Sequence, residues 1–120
     1  MKIIIAGSRS FTNYSLLSTH LDHLFSRCDI SQIEIVSGHA RGADQLGERY
    51  ADKHKLIVHP FPVTAKDWKR IGKSAGYRRN KEMAQFADAL VAFWDGSSRG
   101  TRHMIDLARE HGLRVRIVRI

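Results

Sequence analysis

Apolar and polar positions along the chain change their period several times, and each change marks an element. Ile3-Ile4-Ile5 is a β-branched run inside Lys2–Ala6, the pattern of a strand buried on both faces. Leu17, Leu21, Leu24, Phe25 and Cys28 then fall on one helical stripe, with Asn13 or Ser15 available as its cap. Ile33-Glu34-Ile35-Val36 reads as a second strand. Behind it Ala43, Leu46, Gly47, Tyr50, Ala51 and His54 recur at helical spacing. Leu56-Ile57-Val58-His59 reads as a third strand stopped by Pro60-Phe61-Pro62. From Val63 to Ser74 no period is visible, so an irregular lid or binding loop is expected there. Ala75–Ala87 has Asn80, Met83, Ala84 and Ala87 on one helical face, and Asp88–Trp94 reads as a fourth strand. Met104, Ile105, Ala108 and His111 give the apolar face of a last helix ended by Gly112. Val115–Val118, flanked and interleaved by Arg114, Arg116 and Arg119, has the alternation of an edge strand.

Strands and helices therefore alternate, and the economical architecture is a three-layer α/β sandwich on a five-stranded, mostly parallel sheet of order 3-2-1-4-5. The 120 residues suit one domain spanning 1–120. In that strand order the first and fourth strands meet at the topological switch point, and ligands bind beyond the carboxyl ends of the strands there. Three small-residue turns fall at that rim: Gly7-Ser8-Arg9, Ser37-Gly38 through Arg41-Gly42 to Asp44, and Asp95-Gly96 through Ser98 to Gly100-Thr101. Each of them carries an arginine and precedes a helix, where unpaired N–H groups and the positive end of the helix dipole favour anions. Any one of these turns is equally readable as an ordinary loop with a solvated arginine. Three on one edge point to phosphate. Asn80 is polar on an inward face beside Arg79 and needs a backbone or ligand partner. Arg41→Ala and Gly42→Val are expected to weaken binding without unfolding the domain.

Composition narrows the partners. Twenty Lys and Arg against twelve Asp and Glu give a formal charge of +8, which favours phosphorylated small molecules, acidic proteins or nucleic acid. The one cysteine, Cys28, allows no intrachain disulfide, and a cytoplasmic setting is expected. No apolar run reaches membrane-spanning length, and the first residues lack a signal-peptide pattern. Lys66, Lys69, Arg70 and Lys73 surround Trp68, which would either stack on a base or anchor its segment to the core. Gly72-Lys73-Ser74 echoes the end of a P-loop, but Asp67 stands where the first glycine belongs. His20 and His23 have no Cys or Glu nearby to complete a metal site, and no cofactor or metal is expected to be required.

The same residues carry a family resemblance. Gly7-Ser8-Arg9 with Phe11, Ser37-Gly38 with Arg41-Gly42-Ala43-Asp44, Ala75-Gly76 with Arg79-Asn80 and Met83 stand in order and at compatible spacing. Ala87-Asp88, Trp94-Asp95-Gly96, and Ser98 with Gly100-Thr101 continue the match over nearly the whole chain. The chain resembles the YspA-like branch of the SLOG superfamily. That superfamily has a Rossmann-like fold and includes Lonely Guy phosphoribohydrolases, DprA-type DNA-processing proteins and sensor domains for nucleotides derived from NAD. The resemblance implies a nucleotide or ADP-ribose-like ligand, bound as by a sensor or a sequestering sponge, and a homodimer. Arg79 and Met83 match the Lonely Guy Arg-x-x-x-Met element. The glutamate that serves N-glycosidic cleavage in that family is Met104 here, and a thioether can neither activate water nor stabilise oxocarbenium-like charge. Catalysis would then fall to Asp44 or Asp95, each equally readable as a helix cap or a ribose ligand. Three functions follow: a nucleotide-binding module, a nucleoside-phosphate glycosidase, and a single-stranded nucleic-acid binder.

Overall fold

The structure, a computed structural model, describes residues 1–120. Five strands, β1 (Lys2–Gly7), β2 (Glu34–Ser37), β3 (Val58–Pro60), β4 (Ala89–Trp94) and β5 (Arg114–Arg119), form one sheet of order β3-β2-β1-β4-β5. All four pairings are parallel. β1 alternates between two cores, as a doubly covered strand must. Ile3 and Ile5 pack with α1 (Tyr14–Leu24) and α2 (Ala43–Lys53) through Leu17, Leu21, Tyr50 and Ala51. Ile4 and Ala6 face α4 (Lys73–Phe86) and α5 (Arg99–Glu110) through Met83, Ala84, Met104, Ile105 and Ala108. The result is the expected helix–sheet–helix sandwich.

Several boundaries differ from the sequence pattern for identifiable reasons. Asn13, not Ser15, caps α1, accepting the Leu16 N–H at 3.0 Å. α1 ends at Leu24, so Phe25 reaches the core from outside the helix and Cys28 is exposed. His54 and His111, expected on buried faces, are the C-caps of α2 and α5; His54 is half-buried and His111 exposed. β3 pairs two residues later than expected and includes Pro60. An edge strand tolerates that proline, and the Phe61 N–H still donates to Ser37 O at 2.7 Å.

The stretch expected to be irregular is helical. α3 (Ala65–Ile71) starts at Thr64, whose hydroxyl accepts the Asp67 N–H at 3.0 Å. Asp67 in its first turn and Lys69 and Arg70 in its last complement the helix dipole. The helix has no buried residue, so no apolar face exists for a period to reveal. Gly72, at φ +60°, separates α3 from α4 and is a joint between helices, not part of a phosphate loop. No helix is long and apolar enough to cross a membrane.

Gly42 is the glycine on which the loops depend. Its backbone, φ +82° and ψ −130°, belongs to a region that other residues rarely occupy, and an added Cβ would lie 2.6 Å from Arg9 O. Gly42→Val is therefore expected to unfold in urea with a loss of more than about 2 kcal/mol, correcting the expectation of a merely local effect. Gly100 has open space around it, and Gly100→Ala is expected to hold or raise stability by up to about 1 kcal/mol. Equal stability of the two variants would contradict this account.

Candidate functional site

Loops after β1, β2 and β4 meet at the carboxyl edge of the sheet because β1 lies between β2 and β4. Ser8, 1% exposed, ties them together. Its N–H donates to Phe93 O at 3.0 Å, and its hydroxyl accepts the Asp95 N–H at 3.2 Å. Its carbonyl accepts from Phe11 N at 3.2 Å and Ala43 N at 3.4 Å. Every polar atom of Ser8 is thus used inside the protein.

Arg79 crosses from the helical layer to the second loop. Its Nη1 donates to Gly38 O at 2.6 Å and its Nε to Asn80 Oδ1 at 3.1 Å. Gly38 is needed for that approach, since an added Cβ would stand 2.6 Å from Arg79 Nη1 and 2.7 Å from Asp44 Oδ2. Asn80 finds its partners in the protein: Nδ2 donates to His103 Nδ1 at 3.2 Å and to Gly100 O at 3.4 Å. The inward asparagine thereby joins α4 to the start of α5.

Three adjacent clefts share Arg9 and Arg79 in their walls. An inner cleft of about 70 Å³ is lined by Gly7, Asp44, Asn80, Ser98, Gly100 and Thr101, with Met104 in its wall. An outer compartment of about 260 Å³ lies over Gly38, His39, Ala40 and Arg41, against Val63 and Trp68. A further compartment of about 250 Å³ lies between Trp68, Gly76 and Tyr77 on one side and Lys73, Arg99 and Gly100 on the other. α5 begins at the clefts with no side-chain cap bond to its backbone, which leaves first-turn N–H groups available to an anion.

Electrostatics at the inner cleft are opposed. Asp44 is 5% exposed, and burial pushes its carboxyl up to about 6, against the pull of Arg79, the Ala40 N–H at 3.3 Å and Arg9. Burial in turn lowers the pKa of the Arg79 guanidinium, which the Asp44 charge raises. Asp95 behaves differently. It is exposed, and the Ser97 N–H at 2.8 Å and the Ser98 N–H at 2.9 Å hold its carboxyl below the usual range. No group of three or more His, Cys, Asp or Glu is placed to hold a metal ion.

A family model described as YAcAr, the YspA, cpYpsA-related SLOG family, matches residues 1–70. The gene 61 protein of Mycobacterium phage D29 is 34% identical over 119 residues, covering 95% of this chain and 93% of that protein. The chain belongs to the YspA, cpYpsA-related SLOG family. Among solved structures, DNA processing protein A from Streptococcus pneumoniae superposes with TM-score 0.77 at 19% identity, covering 97% of this chain and 49% of that one. DNA processing protein A from Helicobacter pylori, a structure described for its single-stranded DNA binding mode, gives TM-score 0.69 at 22% identity, covering 98% and 64%. The SLOG domain thus spans about half and 64% of the lengths of these two proteins, and their likeness concerns the fold.

Of the residues singled out from sequence, Gly7, Arg9, Gly38, Arg41, Asp44, Arg79, Asn80, Ser98, Gly100 and Thr101 line the clefts of the SLOG domain. Five do not. Ser8 and Asp95 bind their own loops, and Gly42 packs on the Ser8 and Arg9 carbonyls. Ser37 is buried and donates to Glu48 Oε2 at 2.6 Å, while Gly96 packs beneath the Arg119 guanidinium. Arg99, the arginine of the third turn, and Lys73, a basic neighbour of Trp68, also line the clefts. Sequence reasoning did not assign Tyr77, which only the packing of α4 brings to the rim, or His39, which lies within the second rim loop. An exposed aromatic beside a glycine, Gly76-Tyr77, was the available signal.

The Asp44 carboxyl supplies a test. In the folded chain it holds a proton that the unfolded chain releases near pH 4, so its contribution to stability falls as pH rises from about 4 through 6, by an amount on the order of 3 kcal/mol. Asp44→Asn removes that titration. Urea midpoints at pH 4.5 and pH 7 are expected to show the variant gaining on the wild type at the higher pH. An unchanged difference between the two proteins would mean that Asp44 titrates normally.

Proposed function

We propose that this SLOG domain binds a phosphorylated nucleoside of the ADP-ribose or NAD-derived kind at the rim of its sheet. The observation that carries the reading is the convergence of Arg9, Arg79 and the uncapped start of α5 on adjacent clefts that share both arginines. Phosphate would sit against the Gly100 and Thr101 N–H groups, with Arg9 as a free cation. Arg9 makes a charge–ring contact with Trp68 at 6.0 Å and donates no side-chain hydrogen bond within the protein. Arg79, held by Gly38 O, is already oriented and loses little freedom on binding. Asp44 is poised to accept a ribose hydroxyl, and exposed Trp68 and Tyr77 offer faces for a base. The domain would act as a sensor or a sequestering sponge.

Cleavage has weaker support. Met104 lines the inner cleft where the Lonely Guy enzymes carry their glutamate, leaving Asp44 as the carboxylate on that surface. A second reading, single-stranded nucleic acid, is favoured by one specific observation: Arg9, Arg41, Lys73 and Arg99 are all exposed around the clefts of a chain with formal charge +8. The single-stranded DNA mode named for the Helicobacter pylori neighbour accords with it.

Denaturing the purified protein and identifying released nucleotides by mass spectrometry is expected to yield an intact phosphorylated nucleoside. Arg9→Ala is expected to weaken binding of that nucleotide by about tenfold or more in calorimetry, the effect of one charge-assisted contact, with thermal stability unchanged. Recovery of free base and ribose phosphate, abolished by Asp44→Asn, would assign a glycosidase instead. If no nucleotide binds, but oligonucleotide affinity falls by about tenfold or more between 50 and 200 mM salt, the nucleic-acid reading replaces the first.

A further inference from the structure

Trp68 stands in an unusual place. It is 44% exposed, on a helix with no buried residue, and it forms a wall of both large compartments. One compartment, about 260 Å³, lies toward His39, Ala40 and Arg41, and the other, about 250 Å³, toward Tyr77, Lys73 and Arg99. Arg9 and Arg79 line both. Each compartment alone falls below the range of about 300–1,000 Å³ that small-molecule sites occupy, and joined they enter it. The second compartment has its own aromatic wall: Tyr77, 43% exposed, is propped on the His103 ring with centroids 4.4 Å apart. His103 is itself fixed by the Asn80 amide. Gly76 lies between Tyr77 and Trp68, where an added Cβ would make only an ordinary contact with Trp68 Cζ3 at 3.6 Å.

A ligand filling one compartment would leave an aromatic wall, and the cations on it, facing water. A ligand spanning both must carry two ring-bearing halves joined by a group that suits the two shared arginines. We infer that the site takes two nucleobases joined through a phosphodiester, with one nucleoside on each side of Trp68 and the bridging phosphate over Arg9 and Arg79. This rests on the reading of the rim as a nucleotide site, keeps Arg9 and Arg79 as its phosphate ligands, and replaces the ADP-ribose kind of ligand with one that carries two bases. Arg9 swings from its loose position over the indole to meet the phosphate, which no hydrogen bond of its own opposes. The same chemistry occurs in a free dinucleotide and in one step of a single strand. Arg41 on one side and Lys73 and Arg99 on the other lie where flanking phosphates would run.

Calorimetry with dAMP, the dinucleotide pdApdA and the decamer dA10, on the full chain, tests this. The dinucleotide is expected to bind at least about tenfold more tightly than dAMP, the gain of one further stacked base. Trp68→Ala is expected to cut that ratio below threefold and Trp68→Phe to restore most of it, with melting temperatures unchanged because the side chain is exposed. If the decamer binds no more tightly than the dinucleotide, the ligand is the free dinucleotide. Tighter decamer binding with a steep salt dependence would make it a strand. Equal affinity for dAMP and pdApdA, or a ratio indifferent to Trp68→Ala, overturns the inference while leaving a mononucleotide site intact. Binding of none of the three, with Arg9→Ala also silent toward every nucleotide tested, would remove the underlying site as well.

Discussion

β1 has to be dry on both faces, and much of the molecule follows from that requirement. Ile3 and Ile5 enter one core and Ile4 and Ala6 the other, so helices must cover the sheet on both sides. Chain leaving β1 passes through α1 to β2 on one flank, while β4 occupies the other. The connections therefore part at the end of β1, and a crevice opens where they part. The rim is a consequence of covering one strand twice.

Keeping the crevice open and polar takes specific backbone chemistry. Ser8 satisfies three loops with one residue, and Gly42 allows the second loop to lie on the carbonyls of the first. The bond from Arg79 to Gly38 O then clamps the helical layer to the same loop, 41 residues away in sequence. Asp44 is buried within this arrangement, its charge opposed by desolvation and supported by Arg79. A carboxylate so placed in a basic domain is costly to bury, and the clamp around it is what makes the position tolerable.

Membership of the YspA, cpYpsA-related SLOG family accounts for the fold and for the loops that carry its motifs. Within that frame this chain has Met104 and Asp44 together on the wall of the inner cleft. Its clefts are lined by arginines, two exposed aromatic rings and the buried Asp44 carboxyl, beside the uncapped N–H groups at the start of α5.

The elements and the three rim loops were legible in the sequence from local periodicity and from Gly and Ser turns beside arginine. The strand order with its two helical layers followed from their alternation, because a doubly wound parallel sheet is the economical way to connect them. Asn80 was legible too, as a polar residue on an inward face with Arg79 beside it. α3 was not, since a seven-residue helix with no buried side chain has no apolar period to display. Nor could sequence separate Ser8, Ser37 and Asp95, whose polar atoms are consumed inside the loops, from Arg9 and Thr101, which line the clefts. That division depends on which way each side chain turns once the loops touch. Trp68 was visible only as an aromatic among lysines. Its position between two compartments exists because Gly72 bends α3 against α4, and that is a matter of packing in three dimensions.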